Sequence, residues 1–132
     1  MNKIEQLFHD TFLFLESNGE VDVVFHLIPQ KVVGIYKVDF VYGSCAIEID
    51  GYEYHKTKEQ REHDYKRERY LMKNGYTVVR FTASEVYLEP RKCVIEALEL
   101  GEEISIRDNV IHGICKKNDI ETIWGTPLHL VN

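Results

Sequence analysis

Residues 32–82 constrain the fold of this chain more than any other feature. Two apolar runs, 32–42 (VVGIYKVDFVY) and 45–50 (CAIEID), are separated only by Gly43-Ser44. So short a link joins two strands as an antiparallel hairpin. Residues 57–74 then carry a helical pattern. Thr57 stands as N-cap with Gln60 three places on, the spacing of a capping box, and Gly75 stands where a helix ends. A third apolar run, 76–82 (YTVVRFT), follows. A strand, a long helix and a strand return the chain to one sheet in parallel, so 76–82 is expected beside 45–50 and running the same way. The result is a mixed sheet with a helix packed on it.

The flanking segments are read onto that frame. Residues 2–16 follow the helical period through Ile4, Leu7, Phe8, Thr11, Phe12 and Leu15, and Asn18-Gly19 ends the helix. Residues 21–28 (VDVVFHLI) read as a strand, with Pro29-Gln30 breaking the chain before 32–42. Strict alternation in that next strand puts Tyr36, Val38, Phe40 and Tyr42 on one face, and Ile35, Lys37, Asp39 and Val41 on the other. Pro90 opens a helix to about residue 100, with Cys93, Val94, Ala97, Leu98 and Leu100 apolar. Beyond it, 104–111 reads as a small hairpin, and the remainder to residue 132 has no clear period.

A chain of 132 residues fits one domain. Residues 1–100 are expected to form it, with 101–132 a C-terminal appendage packed on it. The N-terminal MNKIEQLFHD lacks the apolar stretch of a secretory signal, and no run approaches the roughly 18 apolar residues of a membrane span. Three widely spaced cysteines, Cys45, Cys93 and Cys115, suit a reducing compartment better than a disulfide framework. A cytoplasmic protein without membrane contact is the expectation. The net charge of -6 is unusual for a plain electrostatic nucleic-acid binder, yet segment 56–73 holds seven Lys/Arg against four Asp/Glu.

The chemistry sits where acids interrupt apolar strands. Glu48 and Asp50 share one strand face, about 7 Å apart along the strand, and both can reach a common point. Asp39 lies on the preceding strand. Acids in such strands are costly unless they are paired or bind a cation. An oxygen-only donor set suits Mg²⁺ or Mn²⁺. The alternative is that they face solvent, or pair with Lys37 and nearby arginines. Gly51 lets the backbone turn, and His55 follows close enough in the chain to swing over the acids as a general base or ligand. The stripe Gln60, Asp64, Arg67, Leu71 forms one helix face whose polar end would lie over the acids.

The ordered string Asp39, Glu48-Ile-Asp50-Gly51, His55, Asp64 and Arg67, then Gly75-Tyr76 before RFT, resembles the small Vsr-like (very short patch repair) endonucleases of the PD-(D/E)XK superfamily. It is also similar to homing endonucleases whose signature is Glu, Asp, His, Asp. The resemblance covers roughly residues 2–100. It implies an α/β, restriction-endonuclease-like αβββαβ core with a mixed central sheet flanked by helices. It implies Asp39, Glu48 and Asp50 as metal ligands for Mg²⁺ or Mn²⁺, His55 in water activation, Asp64 as the later acid and Glu5 as the early glutamate. The superfamily's usual acid-x-Lys has Asp50 where lysine is expected. Vsr proteins carry a structural zinc, but Cys93, His112 and Cys115 do not match its ligands.

Two functions follow as expectations. The first is a metal-dependent DNA endonuclease acting on double-stranded, nicked or single-stranded substrate. Lys56, Lys58, Arg61 and Arg67 would contact phosphates, and Tyr54 (with Tyr52) would lie where a base can stack. The second is a nuclease fold used for binding, as a homodimer or with a protein partner through 101–132, where Ile123 and Trp124 are candidate anchors.

Overall fold

The computed structural model describes residues 1–51 and 56–119, with side chains to residue 109. The expectations for Tyr52, Tyr54, His55, Cys115, Ile123 and Trp124 lie outside the described residues or side chains, as does that for the His112 side chain.

The chain runs α1 (Lys3–Ser17), β1 (Leu27–Val33), β2 (Tyr36–Tyr42), β3 (Cys45–Asp50), α2 (Lys58–Lys73), β4 (Thr77–Thr82), α3 (Ala83–Leu88) and α4 (Pro90–Asp119). The four strands lie in sequence order in one sheet. β1–β2 and β2–β3 are antiparallel and β3–β4 is parallel. This is the mixed α/β architecture expected, with α1, α3 and α4 on one face and α2 on the other. The first face buries Phe8, Phe12 and Leu15 of α1 and Val94, Ala97 and Leu98 of α4 against Phe40, Tyr42, Ile47 and Phe81. The second is smaller: Leu71 of α2 closes on Val33, Val38, Val41 and Ala46.

Local chemistry explains the ends. α1 and α2 both open with capping boxes, Asn2 with Glu5 and Thr57 with Gln60. The Gly34-Ile35 turn joins β1 to β2. Gly34 has φ +63°, and the Tyr70 hydroxyl lies 2.0 Å from where a Cβ would stand, so only glycine fits under that ring.

Several expectations are corrected. Residues 21–26 are not a strand. β2 ends at Tyr42, whose partner is Leu27, so no strand remains for residues before Leu27 to pair with. Pro29-Gln30 does not break the chain but lies inside β1, since an edge strand tolerates a residue without an N–H. The hairpin expected at 104–111 is helix. α4 passes residue 100 unbroken, with Gly101 pressed on Tyr42, where an added Cβ would sit 2.6 Å from the ring. Ile104, Ser105 and Asn109 continue its buried stripe. Ser105 Oγ accepts from Ser44 N at 2.9 Å, and Ser44 Oγ donates to Asp108 Oδ2 at 3.1 Å. Docking on the β2–β3 turn overrides the strand propensity of ISIRDNVI.

The face assignment in β2 is corrected as well. Phe40 and Tyr42 pack beneath α1 and α4, whereas Val38 belongs to the α2 side. Tyr36 also lies on the α2 side, with its ring against Tyr70 and His63. β1 does the same: Leu27 packs against the first cluster and Val33 within the second. Both strands therefore change faces midway. The flanking pairs Pro29↔Phe40 and Lys31↔Val38 put the change at Gln30 and Asp39, which stand opposite each other.

Candidate active site

Asp39 sits where β2 and β3 part. Their ladder runs from Tyr42↔Cys45 to Phe40↔Ile47 and stops. Beyond it, side chains replace backbone partners. Glu48 Oε2 accepts from Asp39 N at 3.0 Å, and Asp39 Oδ2 accepts from Ile49 N at 2.8 Å. Two carboxylates are thus locked across the opening by charge-assisted bonds that also satisfy buried amides.

Glu5 joins them from α1. It is buried, although it opens the helix, and α1 brings it against Asp39. Its Oε2 accepts from Asn2 Nδ2 at 2.9 Å, and its Oε1 accepts from Asn2 N at 3.3 Å and from Gln30 Nε2 at 3.2 Å. Burial, with the neighbouring charges of Glu48 and Glu5 and a hydrogen bond to the Glu5 carboxyl, raises Asp39 to about 7, against the opposing pull of the Ile49 N–H.

Arg67 supplies the countercharge from α2. Its Nη1 lies 2.5 Å from Glu48 Oε1 and its Nη2 donates to Lys37 O at 2.8 Å, while its guanidinium lies 5.8 Å from the centre of the Tyr36 ring. Both partners are largely withdrawn from water, at 15% and 8% side-chain exposure, so this is a buried ion pair. The expected α2 stripe is real: exposure falls from Gln60 through Asp64 and Arg67 to the buried Leu71.

The other expected residues fall nearby but apart. Asp50 faces Arg80, whose Nη1 lies 3.4 Å from both carboxylate oxygens, and Arg80 Nη2 binds Glu68 at 2.8 Å. Asp64 pairs with Lys56 at 2.6 Å, and that ammonium holds its carboxyl below the usual range. Lys58 and Arg61 are exposed on the first turns of α2, with Lys66, Arg69 and Lys73 further along. Arg67, expected on DNA phosphates, is committed to Glu48.

Among the described residues, no three His, Cys, Asp or Glu side chains are gathered as a ligand set for a metal ion. The donor chemistry nevertheless fits one. Glu5, Asp39 and Glu48 bring carboxylates together, Arg67 neutralises one of them, and Asp39 keeps near neutrality a proton that a cation would displace. All donors are oxygen, which selects a hard ion.

Sequence reasoning set Gln30 near the site without its contact to Glu5, and allowed the strand acids to pair with nearby arginines without naming the Glu48–Arg67 pair. A breaker dipeptide inside an apolar run was the signal for the first. The second had only the placement of Arg67 on the inward stripe.

Comparison with known proteins bears on the family and the fold. Residues 21–100 match the family REase_MTES_1575, a restriction-endonuclease-like family. The fold is similar to the solved structure described as Homing Endonuclease I-Bth0305I Catalytic Domain, with 19% identity, a TM-score of 0.51, and coverage of 76% of this chain and 96% of that one. No curated protein sequence matches the chain.

Proposed function

The chain belongs to the restriction-endonuclease-like family REase_MTES_1575, and from that premise we propose that it is a divalent-metal-dependent endonuclease hydrolysing DNA phosphodiester bonds at the cluster around Asp39. The observation that carries this reading is the placement of Asp39 at the parting of β2 and β3, held by Ile49 N and faced by Glu48 and Glu5.

Phosphodiester hydrolysis needs an activated water and relief of the charge that develops on the phosphate. A bound Mg²⁺ or Mn²⁺ supplies both by polarising the phosphate and lowering the pKa of water. Asp39 and Glu48, with Glu5 beside them, are the residues that would hold it, and Asp50 would join them on leaving Arg80. Arg67 fixes the Glu48 carboxylate, and Glu48 in turn holds the Asp39 amide. Burial, with Glu48 and Glu5 beside it, raises the Asp39 carboxyl to about 7. His55 is assigned the proton from water. Asp64, paired with Lys56, takes the part of the later acid of the signature. Lys58 and Arg61, joined by the Lys56 ammonium, track the DNA backbone without reading bases, and Tyr54 stacks on a base. The pattern resembles the Vsr-like branch, in which histidine takes the role of the lysine that Asp50 displaces.

A second reading draws on the same site. Arg67 and Arg80 already neutralise Glu48 and Asp50, as in a nuclease fold kept for binding, with the segment 101–132 contacting a partner. Asp39→Asn and Asp50→Asn on plasmid DNA separate the two. An endonuclease loses cleavage in both variants while staying folded. A binding module keeps its partner in both and loses it when 120–132 is removed.

A further inference from the structure

We propose that Gln30 is a positioning residue that fixes the Glu5 carboxylate beside Asp39. This rests on the nuclease reading above and adds a residue to that site. Among the described residues, Gln30 is the one non-glycine with positive φ, at 55°. A residue with a Cβ is strained there, and glutamine has none of the local hydrogen bonding that makes asparagine or aspartate tolerable. Glycine would absorb the change of face in β1 without strain. The strained residue stands across from Asp39 at the gap in the β1–β2 ladder between Pro29↔Phe40 and Lys31↔Val38. Its carboxamide Nε2 donates to Glu5 Oε1 at 3.2 Å and to Asp39 O at 3.4 Å. One amide group thus ties α1 to β2 at the acid cluster.

The chemistry of an amide suits this place. Its N–H groups offset the repulsion between Glu5 and Asp39 with a dipole and leave the net negative charge for a cation. A lysine or arginine at position 30 would neutralise the cluster and compete with metal. Without any donor there, the Glu5 carboxylate keeps its bonds to Asn2 at the end of α1 and its hydrogen bond with Asp39, but loses its tether to β1 and turns more easily from Asp39. Groups that orient ligands or their neighbours in this way change metal affinity or activity by about 10- to 100-fold when removed.

The test uses the full chain with Gln30→Gly, which removes both the donors and the strain, and Gln30→Glu, which keeps the shape, removes the donors and adds a charge. Melting temperature, Mn²⁺ binding by calorimetry and the Mg²⁺ dependence of plasmid cleavage are read on each. Gln30→Gly should melt no lower than the parent, yet bind Mn²⁺ about tenfold more weakly and cleave about 10- to 100-fold more slowly. Gln30→Glu should lose cleavage further. A folded Gln30→Gly that binds and cleaves like the parent overturns the proposal, as does a loss that only follows the folded fraction. Those results leave the nuclease reading standing. A parent chain that neither binds Mn²⁺ nor cleaves removes that reading and this proposal with it.

Discussion

Replacing Asp39 with asparagine should stabilise the metal-free protein above neutral pH while abolishing its chemistry. Asp39 is raised from 3.8 to about 7, chiefly by burial. Between these values the folded state holds a proton that the unfolded state has lost. Stability from this group is therefore fully present below about pH 3.8 and is lost as pH rises to about 7. The full shift corresponds to at most about 4 kcal/mol of destabilisation at alkaline pH. Part of that is shared with Glu5 and Glu48. The introduced carboxamide can still accept from Ile49 N but gains N–H groups that need partners, which leaves an expected net gain of about 1–3 kcal/mol. For a chain of this size that is roughly 3–12 °C in melting temperature. Thermal unfolding in EDTA, followed by circular dichroism from about pH 4 to pH 8, reads it directly. The gain should be greatest at the alkaline end and vanish toward pH 4. Added Mg²⁺ should raise the melting temperature of the parent and leave Asp39→Asn unmoved. An Asp39→Asn protein no more stable than the parent at alkaline pH would refute the account of a carboxyl forced to ionise against its neighbours.

Other consequences follow from the same geometry. Arg67→Met leaves Glu48 buried without its countercharge and should cost about 3–5 kcal/mol in urea unfolding, while adding Glu48→Leu should recover part of that loss. Gly101→Ala improves helix propensity but drives a methyl into Tyr42, so it should lower the melting temperature, consistent with about 1–3 kcal/mol of overpacking. Unchanged or greater stability would show that α4 does not pack that closely. Lys58→Ala with Arg69→Ala should weaken DNA binding about equally for all sequences and reduce the slope of log affinity against log salt by about 1 per lost phosphate contact.

Much of this architecture was legible where local and long-range signals agree. The Gly43-Ser44 link, the Thr57/Gln60 capping box and the run 76–82 each permit one arrangement, and together they specify the mixed sheet. Helix α4 was hidden beyond residue 100 because its buried face there, apart from Ile104, is made of Gly101, Ser105 and Asn109. The strand read over 21–28 begins only at Leu27, because residues 21–26 have no partner strand, which no local pattern reveals. At the site, period-two counting failed at Gln30 and Asp39, where both strands of the hairpin change faces. Asp39, Glu48 and Glu5 were each named from residue type or family pattern, but strand alternation gathered Asp39 and Glu48 with Asp50, which faces Arg80 instead. The Gln30 clamp and the Glu48–Arg67 pair depend on that reversal and on the depth at which α2 packs.

The most direct measurement of the central claim is nicking of supercoiled plasmid by the purified chain in Mg²⁺, in Mn²⁺ and in EDTA, beside Asp39→Asn shown by circular dichroism to be folded. The account predicts nicked or linear product with the parent in either metal, none in EDTA, and none with Asp39→Asn. Cleavage that persists in EDTA or in Asp39→Asn would contradict it.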